Sequence, residues 1–577
     1  MAGKAKGNIQ DAWTAPPEDF FHSPGVDAGL HILTPLPQMW RVQPKARIAA
    51  TSASAYPNIA AQITSHIERH FKRRAFRSGI EFATVPVLAD HLCADGHFLS
   101  VNGKWLLSGA AGTRLRNRYA WKNEGVRDAD AAVAAYFADV QAMDPPPPPI
   151  SGKVTRHLPF VIDTRNGTNF YHFLTETLGQ LWVVDHDDFE GPVHIHTKGE
   201  DVRPFLGAWI DALYPRLSGR VSFKREAEVY DQALTVLNGR HYYYQSGEAV
   251  MPSVDALAPD SHYWKGRVPD RNSMGVLAMN SCDEMLRRLR ELGHARLADG
   301  DWDHLPRRFW VGRKSDRVRA MAGEAALIDA LTTRGFAVVY FEDFTPLEQV
   351  ALMARAEVMI SYHGAGFANM VFAGPETHCI EIGTLQTCHF RWADFMPHVL
   401  ASGCRYTSFF ADYNIDNPQD GVDDRRGKDL ASVALGDGGR AKLLQYLDAI
   451  LGQVGLGSKA QFRDIADLLS RTEDHRALRR LFQAHVGAEE GDADLTILKA
   501  NALIGTGALQ DGFLALETAW QLTGNRPFLL ERLILLGREL GRDTRRLEDL
   551  HGQNYPQHTQ RLSRKMRRQR LGQLSDP

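Results

Sequence analysis

From Arg307 to Gly383 short apolar runs alternate with helix-forming segments, and this alternation is the strongest constraint on what the chain can fold into. "RRFWVGR", "FAVVYFED", "EVMISY" and "HCIEIG" read as strands. Between them lie "GEAALIDALTTRG", "TPLEQVALMARA" and "GAGFANMVFA", which read as helices. Successive strands joined through a helix pair in parallel, because the helix carries the chain back to the starting edge. The second of these helices places Leu347, Val350, Ala351 and Ala354 at i, i+3, i+4 and i+7. It opens on Thr345 as N-cap, Pro346 at the first helical position and Glu348 three residues after the cap, a capping box. A looser alternation lies upstream: strand "LPFVID" (158–163), helix "YHFLTETLGQLWVV" (171–184), strand "PVHIHT", helix "VRPFLGAWIDALY" and strand "QALTVLNG". The expectation is an α/β protein with two parallel-sheet domains.

Other segments flank this pair. Residues 79–108 carry short apolar runs split by Asp-Gly and Asn-Gly, which predicts a small antiparallel β unit. "DPPPPP" (144–149) is a stiff extended spacer that fits neither helix nor sheet and marks a boundary. A polar helix, "SCDEMLRRLRELGHARLA" (281–298), introduces the second alternation. Past residue 458 only helical patterns remain, with Phe462, Ile465, Leu468 and Leu469 on the buried face of the first, so an all-α module is expected. The expected division is 1–149, 150–280, 281–457 and 458–577.

A length of 577 residues exceeds what one core fills. The formal net charge of -2 excludes an overall polyanion-binding role, so no nucleic-acid partner is expected. Five scattered cysteines without a CxxC pair fit reduced thiols in a cytoplasm. "MAGKAKGNIQDAWTAPPEDFF" has no apolar core of a secretory signal, and no run of eighteen apolar residues occurs. A chain of this kind meets a membrane only from outside. The tail "RLSRKMRRQR" (561–570) is the segment that would touch anionic headgroups, or else it is a solvated charged helix. The "NGT" sequon at 166 is expected to be idle in a cytoplasm.

The densest chemistry is in "SYHGAGFANMVFAGPETHCIEIG" (361–383). Its strand ends at the carboxyl edge of a parallel sheet, where open α/β folds bind ligands. Gly364 and Gly366 let the turn approach a ligand, and the following helix start offers free N–H groups to a diphosphate. His363 can donate to a phosphate or stabilise a leaving group, and Glu381, at the end of the next strand, is the candidate for ribose hydroxyls. Each has a plain structural alternative, a turn glycine or a satisfied polar group. At the same edge Arg313, Lys314, Arg317 and Arg319 form a basic cluster, with Arg313 the one expected on the diphosphate. Upstream, "NGTNFYHFLTETLGQ" puts His172 and Glu176 one helical turn apart with Asn169 at the cap. A carboxylate beside an imidazole can accept a proton from a hydroxyl, although the same spacing also suits a helix-stabilising pair.

Together these stretches resemble glycosyltransferase family 61. Members carry an asparagine–aromatic–His–x–x–x–Asp/Glu segment, here "NFYHFLTE" (169–176). They then show a basic strand end, here "VGRKSDRVR" (311–319), and a Gln-containing helix before "HGAGLTN". That stretch is "FTPLEQVALMARAEVMISYHGAGFANMVF" (344–372) in this chain, followed by "CIEIG" (379–383). The likeness covers about residues 80–415. It departs at Gly312, where the family has serine, and at Phe367-Ala368, where it has Leu-Thr. The resemblance implies a GT-B fold, two Rossmann-like domains facing a cleft, and metal-independent, cofactor-free inverting transfer from a nucleotide sugar. It makes His363, Gly364, Ala365, Gly366 and Asn369 the donor loop, with Arg313, Lys314 and Glu381 as donor contacts. Asn169, Tyr171, His172 and Glu176 fall on the acceptor side. The implied donor is a UDP-sugar and the implied acceptor a glycan or lipid-linked saccharide, since bacterial relatives build capsular or surface polysaccharide.

The mechanism expected from this is a single displacement in which Glu176, helped by His172, deprotonates the acceptor hydroxyl. His363 and Arg313 neutralise the leaving diphosphate. Rival readings are a metal-dependent transferase using Asp185 and Asp187 of "LWVVDHDD", an esterase with "HGAG" as oxyanion loop, and an inactive scaffold recruiting partners through the helical module. The esterase lacks a GxSxG elbow.

Overall fold

In the computed structural model the described residues are 13–36, 38–44, 46–73, 79–96, 98–123, 129–164, 166, 169–198, 202–247, 281–314, 321–392, 394–418, 430–453, 458–524 and 526–574. Arg317, Arg319 and the last two residues of the sequon lie outside them. The chain forms two compact units. The larger comprises Met1–Ala46, Ala61–Tyr406 and Tyr413–Val433; the smaller comprises Arg47–Ala60, Thr407–Asp412 and Ala434–Pro577.

The first sheet of the larger unit contains β1 (Thr84–Asp95), β2 (Phe160–Asp163), β3 (Val193–His196), β4 (Val221–Lys224) and β5 (Glu228–Asn238). The strands β2, β3 and β4 are parallel, and β5 meets β2 in parallel at Leu234 and Phe160. On its other side β5 runs antiparallel to β1, from Glu228 opposite Ala94 to Asn238 opposite Thr84. Beyond β1 the strands Phe98–Val101 and Lys104–Leu106 form a hairpin. Its Asn102-Gly103 turn has φ of 50° and 84°, the left-handed pair that a two-residue hairpin loop requires. Of the antiparallel unit expected at 79–108, residues 84–106 share one sheet with the parallel strands, while Gly79–Phe82 pairs with Trp40–Gln43 and Ser281–Asp283 in a separate three-stranded sheet. The proline run separates two stretches of chain, not two sheets.

That run is packed against the larger unit. Pro145 and Pro148 are buried while Pro146, Pro147 and Pro149 are exposed. A spacing of three is one turn of polyproline II, so one edge faces inward. The Ile32 amide donates to the Pro149 carbonyl at 3.0 Å and the Ser151 amide to the Ile32 carbonyl at 2.8 Å. Gly25, at φ +85°, lies so close that a Cβ there would sit 2.0 Å from the Pro146 oxygen.

The second sheet contains β6 (Arg308–Val311), β7 (Ala337–Val339), β8 (Val358–Tyr362) and β9 (His378–Thr384), in the order β7-β6-β8-β9 and all parallel. Every residue of β8 and β9 is buried, as strands covered on both faces must be. The helix between β7 and β8 spans Pro346–Arg355 and has the expected capping box, Thr345 and Glu348 bonding each other's backbone amides. The chain leaves β6 for β7 on one side and returns to β8 on the other. The carboxyl ends of β6 and β8 thus flank the crevice where such sheets take ligands.

Two expected α-helices take other forms. Residues 170–184 form one α turn (Phe170–His172), a π turn (Phe173–Thr177) and a 3₁₀ segment (Leu178–Val184). The 3₁₀ segment lies so close to the helix Glu284–Ala295 that a Cβ on Gly179 would be 2.9 Å from the Met285 carbonyl oxygen. Residues Ala365–Phe372 are 3₁₀ throughout, and 367–372 are all buried. A 3₁₀ helix is narrower than an α-helix, which suits so enclosed a segment.

In the smaller unit the strand Arg47–Ser52 runs beside residues 407–412, where the Ala53 amide donates to the Phe410 carbonyl at 2.8 Å. Helices α1 (Asp437–Leu451), α2 (Lys459–Arg471), α3 (His475–Ala484), α4 (Ala493–Gly505), α5 (Leu509–Thr523), α6 (Pro527–Glu539), α7 (Arg545–Asn554) and α8 (Thr559–Leu574) follow. From α1 to α7 each packs on the next, and α8 returns to α6. The basic tail is the helix α8, and part of its charge is committed internally: Arg561 and Lys565 pair with the buried Glu531 at 2.5 and 3.0 Å. All five cysteines are free. Among the described residues no helix is long and apolar enough to cross a membrane.

Candidate active site

A cavity of about 450 Å³ opens at the carboxyl ends of β6 and β8. One wall is Arg313, the strand end Ser361–Tyr362 and the turn Gly364–Gly366. Asn169, Phe170, Arg203, Phe205 and Trp209, from the side of the first sheet, form the other. The two sides are pinned by Trp209 stacked on Phe372 with ring centres 5.8 Å apart and planes 12° from parallel. Such a pair contributes about 1 kcal/mol beyond the area it buries.

Arg313 follows β6 by two residues. Its Nη2 donates to the His363 carbonyl at 2.7 Å, and its guanidinium lies 4.4 Å from the centre of the Tyr362 ring. The guanidinium is thereby fixed against the turn. Gly364 must lack a side chain for reasons of space, since its backbone is extended (φ 175°) and strain-free. A Cβ there would fall 1.8 Å from Arg313 Nη2. A Cβ on Gly366 would come within 3.2 Å of the Phe341 ring.

His363 follows β8 directly; its neighbours Tyr362 and Gly364 line the cavity while His363, like His172 and Glu176, is not among the lining residues, and its side chain is 11% exposed. Its Nδ1 is 2.5 Å from Glu381 Oε1. Tyr406 donates its hydroxyl to Glu381 Oε2 at 2.5 Å. The β9 carboxylate is fully buried, with both oxygens engaged. A carboxylate accepting from Nδ1 fixes the tautomer and leaves the lone pair on Nε2, the arrangement of an oriented imidazole base. Glu381, expected at a strand end to meet a ribose, stands instead in the middle of β9, opposite Ser361, with its buried carboxylate turned onto His363.

His172 and Glu176 approach to 3.2 Å across the π turn. They are not among the residues that line the cavity, whereas Asn169, which caps the turn by accepting from the His172 amide, is. Glu176 lies on the side of Asp163, the last residue of β2. Burial above all, with the Glu176 charge adding, pushes the Asp163 carboxyl up to about 7, against the amides of Ala110 and Ala111 that favour its ionised form. A carboxyl so raised binds its proton more tightly folded than unfolded. Stability is then greatest below the ordinary carboxylate range and falls as pH rises from about 4 to about 7, by up to about 1.4 kcal/mol per pH unit. Melting temperatures across that window should fall in the native protein. In Asp163→Asn, starting from a lower value, they should stay level. An equal slope in both would refute the assignment.

The remaining expected site residues divide clearly. Ala365 lines the cavity with its glycine neighbours. Asn369 does not: it is buried, and its Nδ2 donates to Gln349 Oε1 at 3.1 Å. Gln349 is the wall residue, and it donates in turn to the carbonyls of Phe341 and Phe344. Lys314 is exposed and pairs with Asp343. Tyr171 anchors its hydroxyl on the Asp394 carbonyl at 2.5 Å. Asp187 is exposed and pairs with Arg216 at 3.0 Å. Sequence reasoning missed Arg203, a second guanidinium on the cavity wall. It is the N-cap of the helix that opens on Pro204, seven residues past the end of β3, so the strand-end signal that marked Arg313 does not reach it. Tyr406, the partner of Glu381, carries no motif.

Residues 170–380 match the family model described as Glycosyltransferase 61. The matched stretch contains His172, Glu176, Arg203, Arg313 and the Gly364–Gly366 turn, and it ends one residue before Glu381. No curated protein matches the chain.

Proposed function

We propose, from the match of residues 170–380 to the glycosyltransferase 61 model, that this glycosyltransferase moves a sugar from a nucleotide-sugar donor to a glycan acceptor, that the cavity holds the donor diphosphate and that His363, beside the cavity wall, handles the acceptor proton. The observation that carries the reading is the convergence of Arg313, Arg203 and the glycine turn on one hollow at the switch point of the second sheet. Guanidinium forks match phosphate oxygens, and the turn lets backbone approach them closely. The aromatic side, Phe170, Phe205 and Trp209, suits the planar and apolar faces of base or sugar.

The reaction is inverting. An acceptor hydroxyl gives its proton to His363 Nε2 as its oxygen bonds the anomeric carbon, and the bond from that carbon to the diphosphate breaks. The negative charge that develops on the leaving group faces Arg313 and Arg203, which do the neutralising that a metal ion performs elsewhere. Glu381 and Tyr406 orient His363, while His172 and Glu176 shape the π turn that presents Asn169 and Phe170. The two sheets of the larger unit would be the halves of a GT-B fold, with a UDP-sugar as donor and a glycan or glycolipid as acceptor.

Titration of UDP-sugars into the full chain, with and without EDTA, tests the donor half. Arg313→Ala and Arg203→Ala should each raise the donor dissociation constant about tenfold to a hundredfold, the effect of one lost charge-assisted contact, and EDTA should change nothing. Unaltered affinity in both variants, or binding abolished by chelation, would overturn the site.

A further inference from the structure

The helical unit carries a second concave site that the transfer reaction does not use. A cleft of about 430 Å³ is lined by Arg476, Arg479, Arg480, Gln483, Gly505 and Thr506. The three arginines stand at i, i+3 and i+4 on α3, one face of the helix, while Ala477, Leu478, Leu481 and Phe482 are buried on the other. No carboxylate lines the cleft, and among the described residues none of the three arginines forms an ion pair. Their neutral partners are few. Arg479 donates to the hydroxyl of Thr506, the C-cap of α4, at 3.0 Å, and Arg480 donates to the Ile450 carbonyl at the end of α1 at 2.9 Å. Arg476 makes neither a hydrogen bond nor an ion pair among the described residues. Each helix C-terminus supplies only about half a negative charge, so two of them leave roughly two positive charges uncompensated. Several arginines elsewhere in this unit are matched to acids, as Arg463 is to Asp492, Arg526 to Asp494 and Arg538 to Glu548.

We propose that this cleft binds a phosphate-bearing ligand, a phosphomonoester or diphosphate group, through the guanidinium forks of Arg476, Arg479 and Arg480. Gln483 adds an amide donor at the rim, and the alkyl stems of the arginines leave room for a substituent on the phosphate. The group belongs either to a soluble phosphate ester or to a lipid headgroup.

Calorimetric titration of inorganic pyrophosphate into the full chain tests the site, using the Arg203→Ala/Arg313→Ala background so that neither arginine of the donor cavity contributes. Adding Arg476→Gln and Arg480→Gln should weaken the remaining binding at least tenfold. Arg476→Gln alone, which breaks no bond among the described residues, should weaken it severalfold. Arg545→Gln, removing an equal charge from an exposed pair in the same unit, should leave it unchanged. Sedimentation with phosphatidylcholine vesicles, plain or containing phosphatidic acid, separates the sources. Loss of phosphatidic-acid-dependent binding in the double variant assigns a lipid headgroup, and loss of pyrophosphate binding alone assigns a soluble ester. If neither probe distinguishes the double variant from Arg545→Gln, the cleft is not a phosphate site.

Discussion

Replacing His363 with asparagine is expected to lower kcat on the order of a thousandfold while the donor dissociation constant changes less than threefold. General acid–base residues contribute typically 10² to 10⁴ in rate, and the imidazole here is held by a fully buried carboxylate through Nδ1. Asparagine keeps a polar side chain of similar reach next to Glu381 but has no basic nitrogen. Glu381→Gln and Tyr406→Phe should each lower kcat by a smaller factor, because they loosen the imidazole without removing it. Glu176→Gln supplies the decisive comparison. Full loss of turnover in Glu176→Gln, with His363→Asn nearly active, would return the proton to the π turn and refute the role given to His363.

The second large effect is expected from a single methyl group. Gly364→Ala would put a Cβ 1.8 Å from Nη2 and 2.8 Å from Cζ of Arg313, inside any possible contact. The arginine must then leave both the His363 carbonyl and the face of Tyr362. The backbone at Gly364 is extended and accepts alanine without strain, so the fold should survive with a melting temperature within a few degrees of the native value. Donor affinity should fall about as far as in Arg313→Ala, and the double variant should be no worse than either single one, since both remove the same contact. Additive losses would mean that Gly364 touches the donor independently.

Much of the second sheet was legible because its signals are local. The helix over Pro346–Arg355 announces itself with Thr345, Pro346 and Glu348, and the strands "EVMISY" and "HCIEIG" are apolar runs of the right length. The turn with Gly364 and Gly366 and the strand-end Arg313 followed from that topology. What escaped depends on distance in the chain. That Glu381 bonds His363 and Tyr406 depends on a partner 25 residues away and on burial that no periodicity reports. The same holds for the joining of β1 to β5, whose partners Ala94 and Glu228 are far apart in sequence. The π and 3₁₀ character of residues 170–184 and 365–372 follows from close packing on neighbours such as Met285, which helix propensity does not see.

The proline run has a consequence for how the chain tolerates change. With three residues to each left-handed turn, inserting or deleting one proline would rotate everything after it by about 120°. Pro145 and Pro148 would swing outward, and Ile150 would lose its place beside Ile32. The tract is therefore keyed like a thread to a fixed pitch: its length can change only by whole turns, and the stiff spacer acts as a gauge setting where the first parallel strand begins.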